Sequence, residues 1–367
     1  MMIIHMKLYI IIIIILVLIL IYSFFIYQKN LNQLKKETIV SNIGEPYLME
    51  DLLSPLHITL TSDQPNCPGG LSYLKENTND LNIQMVHDYY KHTFDMTLPS
   101  DTHIVFGAGT TMLIAAYYYA LQKKENKIIF ANTNHDVFYL LHKKLTFPAK
   151  DVVWTDKDYH SNLSVIVSPS NPLGIVTDPK DVKSEYMLYD VVYDKYLFTG
   201  QHSSVNDKLY EEFKTNKHIS ITLSFSKLGL AGARFGFLLT RDPKLAEYCE
   251  EYVNILSVRY PTANATIARL TYYKYFTDNK LTSKCYQIIN ERRKFFLEYA
   301  KKHNIHILNT TYLVPYMYTD KSTEWWLQHF NVETRKGSDF NDDDRNSRFN
   351  LMISQKYWDE FKRRIIL

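Results

Sequence analysis

The sequence predicts an α/β protein: a sheet of short buried strands whose connections end in glycine- and hydroxyl-rich turns. Three observations carry this. The chain has 367 residues, 46% of them hydrophobic, enough for one large α/β domain and a smaller one. Short apolar runs such as Ile104–Phe106, Lys127–Phe130 and Val165–Val167 each stop at a cluster of turn residues. Polar side chains of chemical interest fall where those runs end, the C-terminal strand ends at which α/β sheets bind ligands.

At the N-terminus, Leu8 to Tyr27 is uncharged and mostly Ile and Leu. About 20 such residues suffice to cross a bilayer. The run is long for a signal peptide and no Ala-x-Ala follows it, so residues 1–29 are expected to be a membrane anchor, a cleaved signal being the alternative. The placement of Lys7 against Lys29, Lys35 and Lys36 puts the rest of a single-pass protein in the cytoplasm. Three N-x-S/T triplets, at Asn162, Asn264 and Asn309, are common by chance in an Asn-rich chain. Residues 30–55 read as a polar linker and 56–95 as an N-terminal arm, irregular around Pro65, Pro68, Gly69 and Gly70, with a helix over Leu81–Phe94. Residues 96–255 then form the large domain and 256–367 the small one.

A net charge of +3 with no basic stripe argues against nucleic acid as a partner. Cys67, Cys249 and Cys285 are too few and too far apart for a disulfide scaffold or a CxxC metal site, so no metal is expected.

Within the large domain, His103–Leu121 reads as a strand, a Gly107-Ala-Gly109 turn and an apolar helix capped by Thr110 and Thr111. Such an element presents free amides to an anion, though it is equally an ordinary βα turn. Leu163–Gly174 is a buried strand followed by the turn Ser168-Pro-Ser-Asn171-Pro-Leu-Gly174. Tyr186–Tyr196 holds Asp190 at a strand end and Tyr193 three residues on. A buried carboxylate there must be paired, unless it is simply a helix cap. Ser220–Thr240 runs from an alternating strand into Ser224-Phe-Ser226-Lys227, a glycine-rich loop and Arg234. Burial disfavours the charged form of a lysine and favours the nucleophilic amine. The bland alternative is a solvated lysine and arginine flanking a turn.

The stretch from Ser224 to Gly236 resembles the cofactor-lysine loop of fold-type I pyridoxal-phosphate (PLP) enzymes, the aminotransferase superfamily, closest to the alliinase and tryptophan-aminotransferase group. It departs from many members by one residue fewer between lysine and arginine. The other motifs occur in the family's order, and the likeness runs from about Leu56 to the C-terminus. It implies a large domain with a mostly parallel seven-stranded sheet between helices and a smaller α+β domain. By the same resemblance, Lys227 holds PLP as a Schiff base. Gly109, Thr110, Thr111, Ser224, Ser226 and Arg234 bind its phosphate, and Asn171 and Tyr193 its phenolic oxygen. Asp190, selected over Asp194 by the family's Asp-x-x-Tyr spacing, partners the ring nitrogen. His135 takes the place of the ring-stacking aromatic, which this chain lacks in the loop after Phe130. Arg348, opening the late run RFNLMIS, binds the substrate α-carboxylate with Asn171. The implied activity is amino transfer between an L-amino acid and a 2-oxo acid, in a homodimer. An alliinase-like C–S lyase, or a non-catalytic protein on a decayed fold, are the alternatives.

Overall fold

The computed structural model describes residues 21–23, 38–42, 44–54, 76–127, 129–133, 152–154, 161–257, 262–309 and 311–366. Its centre is a seven-stranded sheet of β2 (His103–Gly107), β3 (Ile129–Thr133), β4 (Val152–Trp154), β5 (Leu163–Val167), β6 (Tyr186–Asp190), β7 (Ile219–Ser224) and β8 (Gly236–Thr240), in the order β2-β8-β7-β6-β5-β3-β4. All pairings are parallel except those of β8, which runs opposite to both neighbours. The loop from β7 to β8 therefore turns back at the same sheet end at which β2, β5 and β6 finish.

Every residue of β5, β6, β7 and β8 is buried. That is the signature of strands covered on both faces. Alternation along each strand divides the apolar side chains between two cores. Leu188, Val165 and Leu238 face α3 (Thr110–Glu125) and α6 (Pro243–Ser257), which bring Leu113, Tyr117, Leu245 and Cys249. Tyr189, Ile221, Leu223 and Phe237 face the other way, toward α2 (Glu76–Phe94), α5 (Asp207–Phe213) and α7 (Thr262–Tyr275). A short helix, α4 (Tyr196–Thr199), follows β6.

After α8 (Lys280–Lys302), a three-stranded antiparallel sheet forms from β9 (Tyr316–Thr319), β11 (Arg335–Lys336) and β12 (Ser347–Asn350), in the order β11-β12-β9. Helices α9 (Thr323–Phe330) and α10 (Gln355–Ile366) pack with it through Trp326, Phe349 and Phe361. A strand from near the N-terminus, β1 (Ile39–Val40), pairs in parallel with β10 (Val332–Glu333). Helix α1 (Tyr47–Leu53) follows, joined to the small sheet's chain by Leu48 N to Met352 O at 2.9 Å. The stretch expected to be a linker is thus built into the small domain. Its apolar residues Ile39, Leu48, Met49 and Leu53 give it a buried face.

The membrane anchor and membrane localisation expected from residues 8–27 are corrected: among the described residues no helix is long and apolar enough to cross a membrane. Of that run only Ile21–Ser23 lies within the described residues. The long helices α2 and α8, of 19 and 23 residues, carry charges along their length. Two smaller differences concern local structure. Helix α2 begins at Glu76, ahead of the expected Leu81. Strand β4 has only three residues, too short for its pattern to stand out in the sequence.

The turn that carries Lys227 rests on an aromatic cluster. Phe225 is fully buried, with its ring centroid 5.5 Å from Tyr89, 5.2 Å from Phe235 and 5.9 Å from Tyr272. Phe225→Ala should lower unfolding free energy by about 3–5 kcal/mol. Ile255→Ala, at a side chain 64% exposed, should stay within about 0.5 kcal/mol of wild type. Urea unfolding of the two variants checks this contrast.

Candidate active site

The strand ends converge on a cleft of about 240 Å³. Thr110, Thr111, Asn171, Tyr193, Ser224, Ser226, Lys227, Arg234 and Arg348 all line it. These are residues singled out from sequences far apart in the chain. Asp190 is fully buried, next to the cleft-lining Val192 through its bond to that amide, and Gly109 abuts Arg234. His135 lies outside the described residues.

The first element differs from expectation in one respect. Thr110 and Thr111 do not cap α3; they begin it. The N-cap is Gly109, whose φ of +82° suits glycine, and no side chain caps the helix. The first amides and the helix dipole are therefore left to an anion. A Cβ on Gly109 would sit 2.7 Å from Arg234 Nη2, so glycine is needed for the arginine to approach. Arg234 itself is left-handed, at φ +48°, and donates to Ala231 O at 3.2 Å and Ala108 O at 3.1 Å. Those bonds hold the guanidinium over the turn after β2. Ser224 caps the short 3-10 turn Phe225–Leu228, its hydroxyl accepting from Ser226 N at 3.3 Å.

At the other end of the cleft, Lys227 Nζ donates to the Gly44 carbonyl and stands 5.8 Å from the Tyr193 ring centroid. The hydroxyls of Tyr193 and Tyr316 share a 3.0 Å hydrogen bond. Arg348, 1% exposed, donates to Asn171 Oδ1 at 3.0 Å and to Asn42 O at 2.9 Å, with Tyr316 4.1 Å beneath its guanidinium.

The two aspartates after β6 separate cleanly. Asp194 accepts from Ser204, from Val205 N at 3.1 Å and from Asn206 Nδ2 at 2.8 Å. Asn206 also accepts from Ser168 Oγ at 2.5 Å. Asp194 thus ties the loop after β6 to the turn that carries Asn171. Asp190 accepts from Val192 N at 3.0 Å, and among the described residues its Oδ2 is buried without a hydrogen-bond partner. Burial pushes the Asp190 carboxyl up to about 6, against the Val192 amide, the Thr110 hydroxyl and the charges of Lys195 and Lys227. Lys195, buried and bonded to the Tyr89 hydroxyl at 3.2 Å, is pushed down to about 7 by the same loss of water.

Among known proteins, a family model described as Allinase matches residues 70–291. The chain belongs to the alliinase family. That family lies within the fold-type I superfamily and its members are PLP-dependent. No curated protein matches this alliinase-family chain in sequence. Solved structures share its fold. A Methanococcus jannaschii protein, whose active site is described as similar to kynurenine aminotransferases, is 16% identical with TM-score 0.66, covering 94% of this chain and 95% of that one. N-succinyldiaminopimelate aminotransferase of Mycobacterium tuberculosis is 15% identical with TM-score 0.67, over 92% and 95% of the two chains. Histidinol-phosphate aminotransferase of Clostridium acetobutylicum is 17% identical with TM-score 0.62, over 89% and 98%.

The cleft of this alliinase-family chain fits PLP on its own chemistry. It offers an uncapped helix start beside a fixed arginine and a lysine amine, with the orphaned Asp190 oxygen buried within electrostatic reach of that lysine. Reading the sequence alone missed Gly44, Tyr316 and Arg335, which also line or abut the cleft. A signal for Gly44 existed in Gly44-Glu-Pro46, a breaker pair inside the supposed linker. Tyr316 and Arg335 sit in strands with nothing to mark them.

Asp190 gives a pH test. A carboxyl raised in the folded state from 3.8 to about 6 holds its proton there after the unfolded chain has lost it. Stability then falls as pH rises through that window, by about 3 kcal/mol for this group. In cofactor-free protein, the stability difference between wild type and Asp190→Asn should shift by about 2 kcal/mol between pH 4 and 6, to the detriment of wild type. Parallel denaturant titrations across that range read it directly.

Proposed function

We propose that the chain is a PLP-dependent aminotransferase moving an amino group from an L-amino acid to a 2-oxo acid. The observation that carries this is the Lys227 amine in a cleft lined by Thr110, Asn171, Tyr193, Arg234 and Arg348, with the Asp190 carboxyl buried within electrostatic reach of it. PLP, when bound, supplies a ring that takes up the electron pair left at the substrate Cα.

The remaining work falls to the chain's own residues. Asp190 holds the proton on the ring nitrogen through Oδ2, which a buried carboxylate needs as much as the ring does. The Gly109–Thr111 turn, Ser224, Ser226 and Arg234 bind the phosphate. Tyr193 and Asn171 orient the phenolic oxygen, Tyr193 being held in turn by Tyr316. Arg348 takes the substrate α-carboxylate, keeping its bond to Asn171 and exchanging the Asn42 carbonyl for an oxygen of the ligand. Lys227 holds the cofactor through Nζ and, once released, removes the Cα proton and returns it as general base and acid. For this the amine gives up the Gly44 carbonyl.

The family match also supports a second reading, a C–S lyase that uses the same proton removal to expel a sulfur leaving group from Cβ. Absorbance of the protein loaded with PLP tests both at once. Wild type should show a band at the edge of the visible that borohydride fixes to the chain; Lys227→Ala should show none. Absence of the band in folded wild type sinks both readings and leaves a non-catalytic protein. With the band present, pyruvate release from a cysteine sulfoxide marks the lyase, and exchange of amino groups between amino and 2-oxo acids marks the transferase. Arg348→Lys should lower kcat/KM about 10- to 100-fold, mostly through KM, because a point charge replaces a planar fork.

A further inference from the structure

The small sheet sets two arginines side by side over the same cleft. Arg335 of β11 is directly opposite Arg348 of β12 in the antiparallel register. Opposed residues on such a pair have Cβ atoms roughly 5 Å apart on one face, and like charges there repel. Both line the cleft.

The two differ in what they bond. Arg348 has its Nη groups on neutral acceptors, Asn171 Oδ1 and Asn42 O. Arg335 uses only Nε, donating to Asp339 Oδ2 at 2.8 Å. Among the described residues its two Nη groups make no hydrogen bond. The cations lining the cleft are Lys227, Arg234, Arg335 and Arg348, against one carboxylate, Glu45. Glu45 is engaged by the Tyr47 hydroxyl. The proposed function employs Lys227, Arg234 and Arg348. Arg335 is the cation left over.

We infer that Arg335 is a second carboxylate subsite, so that the substrate is an amino acid or 2-oxo acid with a further carboxylate on its side chain. The inference rests on the proposed function for the role of Arg348. A guanidinium anchored by Nε presents its Nη pair as a planar fork, which matches a carboxylate in bidentate fashion. Asp339 already offsets part of its charge, so a monoanion suits it better than a phosphate dianion. Because Arg335 and Arg348 stand on adjacent strands, their spacing is fixed, and the site discriminates by chain length as well as by charge. A ligand bridging them also relieves the repulsion between them.

The test is calorimetric binding of succinate and glutarate to the full-length protein, against butyrate and valerate as monocarboxylates of matching length, with and without PLP. The better dicarboxylate should bind at least about 10-fold tighter than its monocarboxylate counterpart. Arg335→Gln should abolish that preference, Arg335→Lys should retain part of it, and Lys336→Gln, on the exposed neighbour, should leave it intact. Equal affinities in wild type, or a preference that survives Arg335→Gln, overturn the inference. Failure of the protein to develop the PLP band refutes the cofactor assignment instead. The dicarboxylate preference measured without cofactor still decides the subsite in that case.

Discussion

A carboxylate buried at the end of a central strand, with one oxygen bonded and the other not, is a standing demand on the fold. Asp190 is in that position. An unpaired charge inside protein is too costly to persist without purpose, and the elements around it explain how it is tolerated. The Val192 amide satisfies one oxygen. Lys195 adds positive charge nearby. What remains unmet is one oxygen, which under the proposed function pairs with a cationic ring nitrogen.

The reversed strand β8 makes this space usable. A wholly parallel sheet would return the chain from β7 by a long crossover. Here the connection is a tight loop, so Lys227 and Arg234, seven residues apart, stay at the same sheet end as Asp190 and Asn171. Gly109 lets Arg234 close over the turn after β2, beside the uncapped start of α3. The aromatic cluster under Phe225 fixes the base of the loop. Placement of the reactive groups is thus a consequence of strand order and of one aromatic layer.

Much of this was legible in sequence because each motif is local. The apolar runs that became β5, β6 and β7 stop where turn residues begin, and Asn171, Asp190 and Lys227 stand at or just past those stops. The choice of Asp190 over Asp194 rested on spacing. The structure adds a physical distinction, one aspartate being fully partnered and the other not. What could not be read was long-range. Arg335 faces Arg348 only through the register of two short strands, one of them two residues long. Tyr316 reaches Tyr193 across 123 positions. Gly44 comes to Lys227 across 183. Such meetings are decided by strand register and by packing between segments distant in the chain, on which local pattern is silent. The apolar run at the N-terminus misled in the opposite sense: hydrophobicity alone suggested an anchor, and the described residues contain no spanning helix.

The seal over Lys227 has a mechanical corollary. Gly44 lies between β1, stitched to the edge of the small domain, and α1, docked on the same domain. Whatever chain precedes residue 38 is coupled through β1 to the carbonyl that holds the lysine amine. The ladder that ties β1 to β10, with Ile39 N on Asn331 O and Ser41 N on Glu333 O, stands between that chain and the carbonyl and takes up load from that side first.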